Sequence, residues 1–322
     1  MHRTWLCSLL LISAWLAPLA QADAQHKAVT RDGREVYLFD DGTWRWADAL
    51  DLSNVKVKVL AAPPWGQRLA KVASAPTRLR LRQVSAKPNK IIDDEAWFKA
   101  NALVLPGCEV PNPMRGKKGS CPPRTPASFR GGKLVSALGA PSRMLLTYGT
   151  DFSSGRYLII ADKALKQVEA ALDFSAYTRG PADKAADRGF TYQQVNWATV
   201  EDGVLYVSTG HRTYAASSGG RNAYLTALDL ASGALRWRSQ PLVCNAQNFL
   251  LLEDAIICGY GFTSEPDHLY VLDRASGKVA QRLKLKTGPS YILRQKDRVL
   301  VRTYNMDYAF KISRAKASKA RQ

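Results

Sequence analysis

The chain has 322 residues, 46% hydrophobic and 23% charged, with 46 Lys+Arg against 27 Asp+Glu and a formal charge of +19. The apolar share is ordinary for a globular protein and excludes a disordered chain. The glycines show no three-residue period, no heptad pattern persists and only one long apolar stretch exists, which excludes collagen, coiled-coil and polytopic membrane architectures.

That apolar stretch comes first. His2 and Arg3 precede an apolar run from Trp5 to Leu19, and Ala20-Gln21-Ala22 and Ala22-Asp23-Ala24 offer small residues for cleavage. Residues 1–24 therefore read as a secretory signal peptide, too short and wrongly flanked for a permanent membrane span. A lone Arg3 argues against twin-arginine export, and Cys7 lies too early for lipid attachment. The expected product is periplasmic or secreted and does not span the membrane.

Residues 25–50 alternate with period two around Asp32-Gly33 and Asp41-Gly42, the pairing that supplies positive φ in tight hairpin turns. A small β-hairpin region is expected, with Trp44 and Trp46 on one face pinning it. The segment resembles the "DGR…DDGTW" motif found at the start of many exported bacterial proteins.

Residues 51–134 carry weaker signals. Val55–Leu60 and Arg78–Arg82 alternate as strands do, and Asp93–Ala102 reads as a short helix with acids at its positive end. Pro106–Pro126, rich in Pro, Gly and Lys, reads as a loop. Four cysteines follow the signal: Cys108, Cys121, Cys244 and Cys258. An even number in an oxidising compartment favours two disulfides with three connectivities open. Local pairing, Cys108–Cys121 and Cys244–Cys258, closes a short loop within each segment. No CxxC spacing supports zinc.

The positive charge is unevenly spread. Basic residues number 20 against 10 acids over 25–135, 20 against 16 over 136–310, and five against none over 311–322. A solvated basic surface is the simpler reading, and an anionic cell-wall or lipid-headgroup polymer is the functional one. No nucleic-acid recognition motif accompanies the charge.

Four units repeat over residues 135–313, followed by a basic tail at 314–322. In the third, Asn248–Leu252, Ala255–Gly261, His268–Asp273 and Lys278–Lys286 read as four strands, with a turn at Arg274-Ala-Ser-Gly277. The second includes Val204–Ser208, Tyr224–Asp229 and Leu235–Trp237, and the first Arg143–Tyr148, Arg156–Asp162 and Val168–Asp173. The last has Tyr291–Arg294, Val299–Tyr304 and Tyr308–Ile312, then stops. Four-stranded units at this spacing predict an all-β protein, a small or incomplete β-propeller of about four to five blades behind the hairpin region. A fifth blade would come from residues 51–134. The last unit lacks an outer strand, and a bare edge invites aggregation. An upstream strand such as Arg78–Val84 is expected to close the ring beside Tyr308–Ile312.

Tyr224-Leu-Thr-Ala-Leu-Asp-Leu-Ala-Ser-Gly-Ala-Leu-Arg-Trp237 closely resembles the blade motif of pyrroloquinoline-quinone-type propellers, and Leu272–Lys278 is a second copy without the Trp. The resemblance implies blades packed through the Asp–Gly turn and a buried Trp. Dehydrogenases of that family are longer, have eight blades, hold calcium and often present adjacent cysteines to the quinone. This chain is too short and has no adjacent cysteines, so neither quinone nor calcium is expected.

Loops joining second and third strands should share one rim with the connections between blades. Here they bring Tyr148 and Asp151, His211, Arg212 and Tyr214, Tyr260 and His268, and Tyr304, Asn305 and Asp307, joined by Asn248. Aromatics and hydrogen-bonding groups on one concave rim suit a ligand pocket. No catalytic residue stands out: GxSxG, HExxH and P-loop patterns are absent. The resemblance also extends to non-catalytic propellers of the bacterial envelope, which dock peptides or partner proteins at strand edges and rims. The favoured reading is thus a non-catalytic binding or scaffold protein of the envelope. The alternative is a propeller enzyme, a degenerate quinoprotein oxidoreductase or a hydrolase/lyase, working on the same rim through His211, Asp267, His268 and Asp307.

Overall fold

The computed structural model describes residues 26–315 except 32–33, 41, 43, 62, 67, 71–76, 111–118, 151–154 and 183. Residues 1–25, which include the segment expected to be a signal peptide, Asp151 and the tail from 316 lie outside the described residues. Two compact units result, Met1–Asp48 and Ala49–Gln322.

In the first unit, His26–Val29, Glu35–Leu38 and Trp44–Trp46 form a three-stranded antiparallel meander in chain order. Its aromatics are pinned by cations and by each other: Trp44 and Trp46 meet edge to face at 5.2 Å, and the Arg34 guanidinium lies 3.6 Å from the Trp46 ring centre.

The second unit is a β-propeller of four blades, each an antiparallel sheet built largely in chain order. Blade one comprises Gly132–Gly139, Arg143–Gly149, Gly155–Asp162 and Val168–Asp173. Blade two comprises Gln194–Glu201, Val204–Gly210, Tyr224–Asp229 and Leu235–Arg238. Blade three comprises Leu250–Leu252, Ala255–Tyr260, His268–Asp273 and Val279–Lys284. Blade four has Pro289–Gln295, Arg298–Thr303 and Met306–Arg314, and its fourth strand is the upstream Leu79–Pro88, antiparallel to Met306–Arg314. That strand covers the edge the last repeat would otherwise leave bare.

The repeated Asp-x-x-Ser-Gly turn has a direct physical basis. The Asp229 carboxylate accepts from the Ser232 amide at 2.9 Å and hydroxyl at 2.8 Å, and the Gly233 amide donates to the Asp229 carbonyl. Gly233 and Gly277 sit at φ +71° and +67°, where a Cβ is strained. Asp273, Ser276 and Gly277 repeat the arrangement in blade three.

Residues 51–134 build no fifth sheet among the described residues. Residues 51–88 instead run along the four blades in order, and Gly107–Cys108 and Ser128–Phe129 return to the first strand of blade one. Lys58–Val59 adds a parallel strand to blade one and Leu69–Ala70 an antiparallel one to blade two. Thr77 donates its amide to Asp273 of blade three before Leu79–Pro88 joins blade four. The strand expected over Val55–Leu60 shrinks to Lys58–Val59, which pairs with the outer strand of blade one, and the Leu60 amide extends the contact to the Asp173 carbonyl. The helix runs Asp94–Ala100, and the Asp93 side chain caps it by accepting from the Ala96 amide at 2.7 Å.

Three buried clusters hold the unit together. One joins blades one, two and three, and a second joins blades three and four with Leu79 and Leu81. The third covers the outer face of blade one with Leu50, Leu52 and Phe129. The far face of blade four is covered by the helix: Phe98 meets Tyr291 edge to face, and Arg302 lies over Trp97 while bonding Asp94 and the Ile91 and Ile92 carbonyls. Blades one and four thus share no cluster; each end of the row is closed by non-blade chain. The disulfides are Cys108–Cys121 and Cys244–Cys258, with Cα separations of 4.7 and 5.2 Å.

Candidate functional site

Contact between expected rim residues is concentrated where blades two and three meet. The loop after Val204–Gly210 makes a short 3-10 turn over Ala215–Ser218, and the loop after Ala255–Tyr260 carries Phe262, Glu265 and Asp267. Glu265 ties them together: one oxygen accepts the Ala215 amide at 2.7 Å and the other the Tyr260 hydroxyl. Above this brace Tyr214, 46% exposed, meets Phe262 edge to face at 5.2 Å. Glu265 and Phe262 were not singled out by the sequence. Glu265 follows a Ser in a turn and looks like any solvated loop acid, so only the fold reveals its two bonds.

His211 lies under this rim and is buried. The Thr213 amide, which can only donate, approaches Nδ1 at 3.4 Å, and that contact is the basis for assigning Nδ1 as the acceptor and the neutral ring's proton to Nε2. Nε2 then donates to Ser218 Oγ at 2.8 Å, and Ser218 donates onward to the Ala215 carbonyl. Burial lowers the His211 pKa to about 4, which keeps the ring neutral. A Ser–His pair at this distance resembles a nucleophile and its base, but the proton sits on the wrong nitrogen. A base must accept from the hydroxyl; here the imidazole donates to it, and both residues are closed from solvent.

Asp267 is the perturbed acid of the rim. Burial, then the Glu265 charge, pushes its carboxyl up from the ordinary value, and its Oδ1 is buried without a partner. His268 is half-buried against Tyr270, its pKa lowered by burial and by Arg282. Arg212 is exposed beside Tyr214.

Other expected rim residues are placed elsewhere. Tyr148 lies within the strand Arg143–Gly149 and alternates toward Phe129; it is fully buried and its hydroxyl donates to the Pro126 carbonyl. Tyr260 is buried by the Glu265 brace. Asn248 is also buried and clamps blade three to blade four, donating to the Ile292 carbonyl at 2.6 Å and accepting the Ile292 amide at 2.9 Å. These three side chains are therefore braces between elements and offer no surface to a ligand. Tyr304 is 85% exposed on a two-residue turn; Asn305 accepts from Thr287, and Asp307 is paired with the buried Arg302. Tyr304, Asn305 and Asp307 belong to blade four, whereas the Tyr214–Phe262 pair joins loops of blades two and three.

A cleft of about 510 Å³ opens at the rim of blades one and two, away from these loops, lined by Lys56, Lys58, Glu169, Asp229 and Arg236. Its charges are largely engaged: Arg236 pairs with Asp229, Glu169 with Arg143, and Lys58 donates to the Ala231 carbonyl. Among the described residues no cluster of three or more His, Cys, Asp or Glu could hold a metal, and no helix is long and apolar enough to cross a membrane.

No family model and no curated protein matches the chain. Among solved structures it is similar to BamB from Moraxella catarrhalis, at 11% identity and a TM-score of 0.38, covering 92% of this chain and 69% of that one. It is also similar to a europium-containing methanol dehydrogenase, at 11% identity and a TM-score of 0.31. That overlap covers 49% of this chain, and the chain spans about a quarter (27%) of the dehydrogenase.

Proposed function

We propose that this chain is an exported, non-catalytic propeller that binds a partner protein or extended peptide of the bacterial envelope at the rim shared by blades two and three. The observation carrying this reading is the Tyr214–Phe262 pair, partly exposed and held on a base fixed by Glu265. Aromatic side chains supply large contact area at low entropic cost, and a rigid base removes the cost of ordering the loops on binding. The His211–Ser218 pair supports a structural role in the same place, because both side chains are buried and Ser218 bonds the Ala215 carbonyl beneath the Tyr214 loop.

The test is a photo-crosslinking aromatic placed at Tyr214 in cells that make the protein. A single discrete envelope adduct is expected, lost when Phe262→Ala is added while the fold, followed by circular dichroism, persists. Failure to form an adduct in a correctly folded protein overturns the reading. Adducts only with anionic wall material, released by moderate salt, would assign the rim to a polyanion instead.

A catalytic alternative has one favourable observation, the raised and partly unpaired Asp267 carboxyl. It requires that Asp267→Asn abolish a turnover that the Tyr214 and Phe262 variants retain.

A further inference from the structure

The boundary between blades one and two is unlike the others in its polar bookkeeping. Alternation along the strands assigns its lining. Tyr206 and Trp237 share a register row and face blade three, where Tyr206 bonds Arg274. Val207, Thr226 and Arg238 form the next row and face blade one, with Thr209 two residues further on the same face. Thr147 shares the face of Leu145, which packs in the cluster joining blades one and two, while Leu146 and Tyr148 turn to the opposite cluster.

Among the described residues, ten buried side-chain atoms lack a hydrogen-bond partner, and six lie at this boundary: Thr147 Oγ1, Gln193 Oε1, Thr209 Oγ1, Thr226 Oγ1, and Nε and Nη2 of Arg238. Arg238 is fully buried. Its faces are covered by Tyr224 at 3.6 Å and Trp65 at 4.4 Å, with Tyr177 at 5.7 Å, and Nη1 donates to the Pro63 carbonyl at 3.4 Å. No carboxylate acts on it, the flanking Tyr224 and Tyr177 are neutral phenols, and burial lowers its pKa to about 10. Nε and Nη2 form one edge of the guanidinium, the edge with which Arg156 grips both oxygens of Asp173 elsewhere in this chain. In Arg238 that edge is bare.

A guanidinium removed from water without a counter-charge is costly, and such groups in proteins are paired. We propose that the Nε–Nη2 edge of Arg238 is the binding site of a small monovalent inorganic anion of chloride size, shared with the Thr226 hydroxyl. Aromatic walls restrict the ligand to the edge of the guanidinium, which suits a single spherical atom. The Thr226 hydroxyl lies across the strand pair from Arg238 and has a proton to donate. The site rests on packing between blades and is independent of the rim on the other side of blade two.

The experiment uses crystals of the protein grown in sodium bromide, with diffraction recorded at the bromine edge. An anomalous peak within hydrogen-bond reach of Nε and Nη2 is expected. Ordered water alone on that edge, or a carboxylate from a bound organic molecule, overturns the proposal. In solution, the thermal midpoint should rise by about 2 °C for each tenfold increase in chloride or bromide above the dissociation constant, at ionic strength held constant with fluoride. The rise should vanish in Arg238→Met, and shrink in Thr226→Val should the first variant not fold. An equal rise in the unmodified protein and in either variant overturns it.

Discussion

Blade two packs on both sides, and its two faces are built differently. The strand Leu235-Arg-Trp-Arg238 shows the contrast within adjacent residues: Trp237 points to blade three and Arg238 to blade one. On the first side the polar groups around the indole are answered. Trp237 Nε1 donates to the Arg274 carbonyl, Arg274 bonds Tyr206, Glu253 and Asp202, and the indole lies so close to Gly277 that a Cβ there would fall 2.4 Å from it. On the other side a buried cation and three threonine hydroxyls go unanswered. The difference teaches that one repeat motif can fix a blade to its successor while leaving its opposite face free for another use.

The largest effect should come from the answered side. Trp237→Ala removes a buried indole and leaves the Arg274 carbonyl bare, and should cost about 3–5 kcal/mol in denaturant unfolding. A loss below about 1 kcal/mol would break the contrast. Cys244–Cys258 staples the same boundary, and replacing both cysteines by serine should cost roughly 3 kcal/mol in the chain-entropy account of a 14-residue loop.

A comparable loss should appear with pH. The unfolded His211 ring takes up a proton near pH 6.5, while the native ring stays neutral until about 4. The native pKa is depressed, so its stabilising contribution is whole above pH 6.5 and is lost as pH falls toward 4, by up to about 3 kcal/mol. His211→Gln should flatten that part of a stability–pH curve; an unchanged slope would move the effect to another group. Ser218→Ala, which strips Nε2 of its acceptor, should cost about 1–2 kcal/mol, read as a drop in thermal midpoint. The smallest effect should be Arg238→Met in halide-free buffer, within about 1 kcal/mol of the original, since an unpaired buried charge is exchanged for an apolar chain of similar length. A loss as large as that of Trp237→Ala would show that the second face is already satisfied.

Much of the blade architecture was legible because period-two runs end at Asp-x-x-Ser-Gly, whose side chain–backbone bonds are local and leave a fixed spelling. Strands of two residues leave little: the alternating run Val55–Leu60 pairs only at Lys58–Val59, and Leu69–Ala70, which carried no pattern, becomes a strand only because a blade edge is there to receive it. The rim was half legible. Tyr214 and His211 stand in the contact zone, but Tyr148 and Tyr260 sit at strand positions where alternation turns the side chain inward, a single-residue distinction that repeat alignment does not resolve, and Asn248 is buried by its bonds to Ile292. Arg238 carried no signal, since an Arg after Trp at a strand end is ordinary on a surface.

The fourth blade is finished by a segment that precedes every other blade in the chain: Ser313 bonds the Arg80 carbonyl across 233 positions of sequence. During synthesis Leu79–Pro88 emerges early and waits without its neighbour until Met306–Arg314 has been made. Completion of the last sheet therefore waits on a single very distant encounter, the kind of non-local pairing that slows folding. Clipping Leu79–Pro88 would leave the outer edge of blade four bare.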